Sequence, residues 1–252
     1  MTGAPVHWRQ WPGDPDRPAL ALHCMMASAA YWGAIAERLD GRVDLRGFDM
    51  PGHGRSPDWR PNGVDYHTAT TRIAAAAIDR PMDLIGHSIG GTIALRIAVA
   101  APDAVRSLTL IEPVLFAAAG ATQGAGADPD TLGEAEAARR FLREWGEQGY
   151  DDLPPPVQAA IRRQIRLVAE SNQVLNHDGA GILRPGGLEG IGAPVMLISG
   201  GDSPPVVHAI AEALAARLPD VAVAGVPGAA HMLPMTHPDQ VAGLIAVNLD
   251  RA

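Results

Sequence analysis

The 252-residue sequence contains no lysine; all 20 of its basic residues are arginine. This excludes a catalytic lysine amine and a cofactor held as a Schiff base. There is one cysteine, Cys24, so no disulfide can close within the chain and the fold needs no oxidising compartment. The apolar runs are far too short to span a membrane. No basic cluster is present and the net charge is -8, which argues against nucleic acid and anionic membrane as partners. The start, Met1-Thr2-Gly3-Ala4-Pro5-Val6-His7-Trp8, lacks a basic segment followed by an apolar core. The expectation is therefore no signal peptide and a soluble, cytoplasmic protein. No pair of the nine histidines has metal-site spacing with supporting carboxylates, so neither a metal nor another cofactor is expected. Oligomeric state is not legible.

What is present is a core-forming chain, 47% hydrophobic, of a length that fits one large domain or a core with an insert. Apolar strand-like runs alternate with helical periodicity through the first part. Strands are expected at 6–11, 19–23, 43–48, 82–85 and 105–111, with helices at 31–39, 65–78 and 90–101. The rhythm stops after Pro113. From Val114 to about Gly190 there is no convincing strand. The stretch 120–130 reads as small and flexible, and 131–146 and 157–175 as amphipathic helices. Strands resume at 195–198 and 221–226, with helices at 206–218 and 240–249. This predicts an α/β protein with a mostly parallel, doubly wound sheet, its core formed by 1–113 and 191–252, and a helical cap inserted at 114–190.

The stretch that carries chemistry is Met82 to Ala94. A short apolar strand ends at Gly86, Ser88 stands between Gly86 and Gly90, and a helix-favouring run follows. This is a G-x-S-x-G pattern in a strand–turn–helix setting, which projects a strained serine from the sheet onto a helix N-terminus. The bland alternative is a glycine-rich turn whose serine only caps the helix. A serine hydroxyl needs a base, and the base needs an orienting group. His231, in the loop after the last expected strand, is the best-placed base. His237 is the rival, in what reads as a helix start. His87 is expected to point away from where Ser88 needs a base. Two carboxylates stand at strand ends, Glu112 and Asp202. Asp202 also reads as a simple turn residue in Gly-Gly-Asp-Ser-Pro. Glu112 ends a buried strand, where an unpaired charge is costly. Donors for a developing oxyanion are expected from the backbone N–H groups of Ile89 and Met25.

Four segments in order carry a resemblance: His23-Cys24-Met25, Asp49-Met50-Pro51-Gly52-His53-Gly54-Arg55-Ser56, Gly86-His87-Ser88-Ile89-Gly90-Gly91 and Gly228-Ala229-Ala230-His231-Met232. In these the chain resembles the α/β-hydrolase superfamily over nearly its whole length. Two departures stand out. Cys24 replaces the glycine that usually follows the histidine before the oxyanion residue, and reads as a small packing residue. The usual acid position, three residues beyond Gly200, holds Ser203, with Asp202 one residue early. In a subset of the superfamily the acid follows the preceding core strand, and Leu110-Ile111-Glu112-Pro113 is similar to that subset. The resemblance thus implies Ser88, His231 and Glu112 as a triad, with Asp202 the alternative acid. It implies a serine hydrolase cleaving a small carboxylic ester, thioester or lactone through an acyl-enzyme. Carbon–carbon bond hydrolysis, or a catalytically weak ligand-binding member of the fold, is the alternative. Leu115, Phe116, Phe141, Trp145 and Leu175 are candidates to line a largely apolar pocket for a small-molecule substrate. The competing reading, packing between cap and core, outranks lining for any single one of them.

Overall fold

In the computed structural model the chain is described over residues 5–61, 63–121 and 128–252. Positions 122–127 of the glycine- and alanine-rich stretch, and residues 1–4 of the start, lie outside the described residues. The strands are β1 (Trp8–Trp11), β2 (Pro18–Leu22), β3 (Asp44–Phe48), β4 (Met82–His87), β5 (Val105–Ile111), β6 (Val195–Gly200) and β7 (Val221–Val226). The helices are α1 (Gly33–Leu39), α2 (Tyr66–Ala76), α3 (Ile89–Ala100), α4 (Pro129–Leu132), α5 (Glu134–Trp145), α6 (Pro155–His177), α7 (Pro205–Ala215), α8 (Leu233–Thr236) and α9 (Pro238–Leu249).

The seven strands form one sheet in the order β1-β3-β2-β4-β5-β6-β7. Only β1 is antiparallel to its neighbour; the other pairs are parallel. The α/β, doubly wound sheet expected from the alternation is therefore the fold. β2, β4 and β6 are buried along their whole length, as strands covered on both faces must be. Side chains alternate between two cores. Leu84, Leu110 and Leu197 pack with Ile93 of α3 and Ile210 of α7. Ile85, Ile111 and Ile198 pack on the other face with Ile35 of α1 and Ile245 of α9.

From β2 the chain passes to β3 on one side, then crosses back to β4 on the other. The order reverses between β2 and β4, where Leu22 pairs with Gly86. The strand ends diverge there and leave a crevice at their carboxyl side, the place where open parallel sheets bind ligands.

Between β5 and β6 the described residues form only helices. The single helix expected over 131–146 is broken at Gly133, whose φ of +80° separates α4 from α5. The short helix α8 lies inside the expected loop 227–238. Its two leading residues, Leu233 and Pro234, are buried, which draws one turn of helix out of a sequence with no periodicity to announce it. Among the described residues no helix is long and apolar enough to cross a membrane.

Candidate active site

Ser88 joins β4 to α3 with φ 57° and ψ −121°, a strained conformation for a residue with a side chain. The neighbouring glycines explain how the turn closes. A Cβ on Gly86 would lie 2.4 Å from the Gly90 carbonyl oxygen, and one on Gly90 would lie 2.2 Å from that of Leu22. Those contacts are backbone on backbone and cannot swing aside. Ser88 N–H donates to the Ile111 carbonyl at 2.9 Å, tying the turn to β5.

β5 pairs with β4 so that His87 lies beside Ile111, and the next residue along each strand is Ser88 and Glu112. Glu112 has φ 45°, is fully buried, and anchors its own N–H on the Ile198 carbonyl at 2.9 Å. Its carboxylate meets three donors. Oε2 lies 2.7 Å from Nδ1 of His231, while Oε1 accepts from Gly200 N–H at 2.6 Å and from Ser203 Oγ at 2.5 Å. Burial opposes the charge, but hydrogen bonds from His231, Ser203 and Gly200 outweigh it and hold the carboxyl below the usual carboxylate range. Ser203, at the position where the acid would ordinarily stand, is thus a donor to the acid-side carboxylate. Asp202 is exposed, and its side chain is not brought to His231. His237 is bonded locally, its Nδ1 2.8 Å from Thr236 Oγ1.

His231 is buried at 5% exposure, and its Nδ1 engagement leaves Nε2 as the nitrogen available to a substrate-side proton. Its backbone is held by His87. The His87 Nε2–H donates to the His231 carbonyl at 2.8 Å, and Nδ1 accepts from the Tyr31 hydroxyl at 3.0 Å. Burial, with His231 close by, pushes the His87 pKa well down, so the ring is neutral and serves as one donor and one acceptor.

The loop after β2 is fixed by two more neutral histidines. His23 donates from Nδ1 to the Cys24 carbonyl at 2.7 Å and accepts from Met50 N–H at Nε2, 2.9 Å away. His53 accepts from Met26 N–H at 3.0 Å. Burial lowers the His23 pKa to about 4 and the His53 pKa to about 3. Asp49 closes the next loop by accepting from Ala29 N–H and Arg55 N–H, both at 2.8 Å. Within this frame no described residue accepts from the N–H of Met25 or of Ile89. Cys24 is buried, and burial pushes its thiol pKa up to about 12, away from the thiolate form.

Ser88, His231, Met25 and Ile89 all line one cavity of about 440 Å³. A second cavity of about 870 Å³ shares Ser88, His231, Met25, Phe141 and Trp145 with it. Of the expected lining residues, Phe116, Phe141, Trp145 and Leu175 are on the wall of the first cavity. Leu115 is not. It is fully buried in the core that packs α3 and α7, and Val114, one residue earlier, reaches the wall in its place. The Trp145 ring meets the His231 ring edge-on at 4.8 Å between centroids. Among the described residues no group of His, Cys, Asp and Glu could hold a metal ion. Sequence reasoning missed the supporting histidines His23, His53 and His87. The only signal for them was that each sits inside a motif segment beside a strand end.

Residues 19–244 match the model of the alpha/beta hydrolase family. The chain is 32% identical over 158 residues to Lipase LipV of Mycobacterium tuberculosis, across 59% of this chain and 57% of that protein. It therefore spans little more than half the length of that relative. It is 28% identical over 249 residues to a pimeloyl-[acyl-carrier protein] methyl ester esterase of Methylococcus capsulatus, covering 89% of this chain and 91% of that one. Among solved structures, MGS-M2, an alpha/beta hydrolase enzyme from a Medee basin deep-sea metagenome library, superposes with a TM-score of 0.75. It is 17% identical, with 98% of this chain and 94% of that chain covered, a likeness of fold.

Proposed function

The chain belongs to the alpha/beta hydrolase family, and from that footing we propose that it is a serine hydrolase cleaving a small carboxylic ester, thioester or lactone through an acyl-enzyme. The observation that carries this reading is the buried His231–Glu112 pair, 2.7 Å apart, opening onto the same cavity as a serine on a strained elbow. The names of the two relatives, a lipase and a methyl ester esterase, support ester chemistry.

In this mechanism Ser88 Oγ attacks the substrate carbonyl carbon as its proton passes to Nε2 of His231. Glu112 holds the imidazole in the tautomer with Nδ1–H and stabilises the imidazolium. The carbonyl oxygen takes up negative charge and is met by the N–H groups of Met25 and Ile89, with the N-terminus of α3 adding positive potential. As the tetrahedral intermediate collapses, the bond to the alkoxy or thio group breaks and His231 returns the proton to the leaving group. Water then attacks the Ser88 ester, giving its proton to His231. The acid departs and Ser88 recovers its hydrogen. The segment 114–190 acts as a cap whose helices α5 and α6 wall the cavity.

A fluorophosphonate probe tests this directly. The expected result is a single adduct on Ser88, found by peptide mass spectrometry and absent from Ser88→Ala. Folded protein that takes up no adduct would overturn the hydrolase reading and leave a ligand-binding member of the family.

A further inference from the structure

The 440 Å³ cavity has a wall built by α6, whose Val168, Ser171, Asn172 and Leu175 recur at helical spacing. Three of them are accounted for by packing. Val168 and Leu175 join the apolar core, and Ser171 turns its hydroxyl back to the Leu167 carbonyl at 2.8 Å. Asn172 differs. It is half-buried, it faces the cavity, and its carboxamide makes no hydrogen bond with any described residue. The lining is mixed, with Val114, Phe116 and Phe141 as apolar members beside charged residues of α5. A carboxamide carries two donors and an acceptor, and here they are left open to a ligand that enters the cavity.

The charges nearby indicate what that partner is. The α5 wall adds two acids and two arginines, Glu136, Glu144, Arg140 and Arg143, and Glu136 already pairs with Arg140 at 3.1 Å. The lining carries no surplus of either sign, so it offers little to a carboxylate or an ammonium. Asn172 belongs to the cap wall, whereas Ser88 and the Met25 and Ile89 N–H groups belong to the core wall. A ligand bound at Ser88 by its carbonyl would meet Asn172 with a more distant part of its acyl chain.

We propose that Asn172 is a specificity-determining residue that selects acyl groups bearing a neutral hydrogen-bonding substituent, a hydroxyl or oxo group, away from the scissile carbonyl. This rests on the serine hydrolase reading, which supplies the position of the carbonyl. A plain alkanoyl chain in this cavity leaves the carboxamide unmet, and a site built to hydrogen-bond a substrate group discriminates against the analogue that lacks it.

The test is binding, so that it does not depend on turnover. Methyl esters of straight-chain acids of roughly four to ten carbons, each with and without a terminal hydroxyl, are titrated calorimetrically into the Ser88→Ala protein. At the chain length that reaches α6, the hydroxylated ester is expected to bind about ten-fold more tightly than its plain counterpart. In Ser88→Ala/Asn172→Leu that preference disappears or reverses. Leucine is a good helix former, and Asn172→Ser, which shortens the side chain, provides a second variant with the same expected loss. The proposal is overturned if the plain ester binds at least as tightly at every length, or if the preference survives both substitutions. Failure of the hydrolase reading is separate, and is read from the absence of a fluorophosphonate adduct on wild-type Ser88.

Discussion

Nδ1 of His231 lies 2.7 Å from Oε2 of Glu112, and the glutamate is shut off from solvent entirely. A base oriented by a buried carboxylate loses its tautomer when that carboxylate is neutralised. Glu112→Gln is therefore expected to lower kcat by about 10³–10⁴-fold with the fold intact. Asp202→Asn, altering an exposed turn, is expected to change kcat by less than about two-fold. Steady-state kinetics on an aryl ester reads both, and the reverse pattern would move the acid to Asp202.

Ser203 donates to the other oxygen of the same carboxylate. Removing that donor in Ser203→Ala raises the Glu112 pKa from its depressed value, because one of the bonds that favours the charged form is gone. The acid limb of the kcat/KM profile should shift to higher pH, with a fall in kcat of roughly ten-fold at neutral pH. An unmoved profile would leave Ser203 as packing alone.

The elbow tolerates no side chain at its glycines. Gly90→Ala places a Cβ 2.2 Å from the Leu22 carbonyl oxygen, and backbone must move to relieve it. The expected outcome is a loss of more than about 3 kcal/mol of stability, or no soluble protein, measured by urea unfolding. A variant as stable as wild type would contradict the described turn.

Four buried histidines, His23, His53, His67 and His87, have pKa values depressed by burial, to about 4 for His23 and about 3 for His53 and His67. Unfolded, they return to the ordinary value near 6.5. Above that value both states are unprotonated and stability is undiminished. As pH falls below it, the unfolded chain gains protons that the folded one refuses. Stability then declines by about 1.4 kcal/mol per pH unit for each such histidine, down to the folded pKa. Glu112, depressed as a carboxylate, adds its own loss only at more acidic pH. Thermal unfolding followed from about pH 7.5 to 4.5 should show a steadily falling Tm. A flat Tm across that interval would rule out neutral burial of these rings.

Much of this was legible in the residues because local pattern and global fold agree. The apolar run 105–111 is β5 and the run 221–226 is β7, residue for residue. The glycines around Ser88 stand where the strand and helix backbones nearly touch, and those carbonyl contacts explain the motif. The resemblance already favours Glu112 over Asp202, but the hydrogen bonds that surround Glu112 are visible only in three dimensions. Both follow strands, and only the sheet order puts β5 between β4 and β6, where Glu112 can take donors from Gly200 and Ser203. The supporting histidines were illegible for a related reason. A lone histidine in sequence gives no sign of whether its ring will be buried, and His23 and His53 act on backbone groups 27 positions away. Leu115 was misplaced because adjacent apolar residues look alike in sequence, whereas the chain leaving β5 sends Val114 to the cavity and Leu115 inward.

The pairing of His87 with Ile111 has one more result. Ser88 and Glu112 are carried by a single β–α–β unit, so any flexing of that unit moves the two together. His231 arrives from 119 positions beyond Glu112, on a loop whose grip includes the His87 contact to its carbonyl. The site is thus assembled from one β–α–β unit and a loop brought to it from the carboxyl-terminal part of the chain. On the proposed mechanism, displacing that loop removes the base while Ser88 and Glu112 stay side by side.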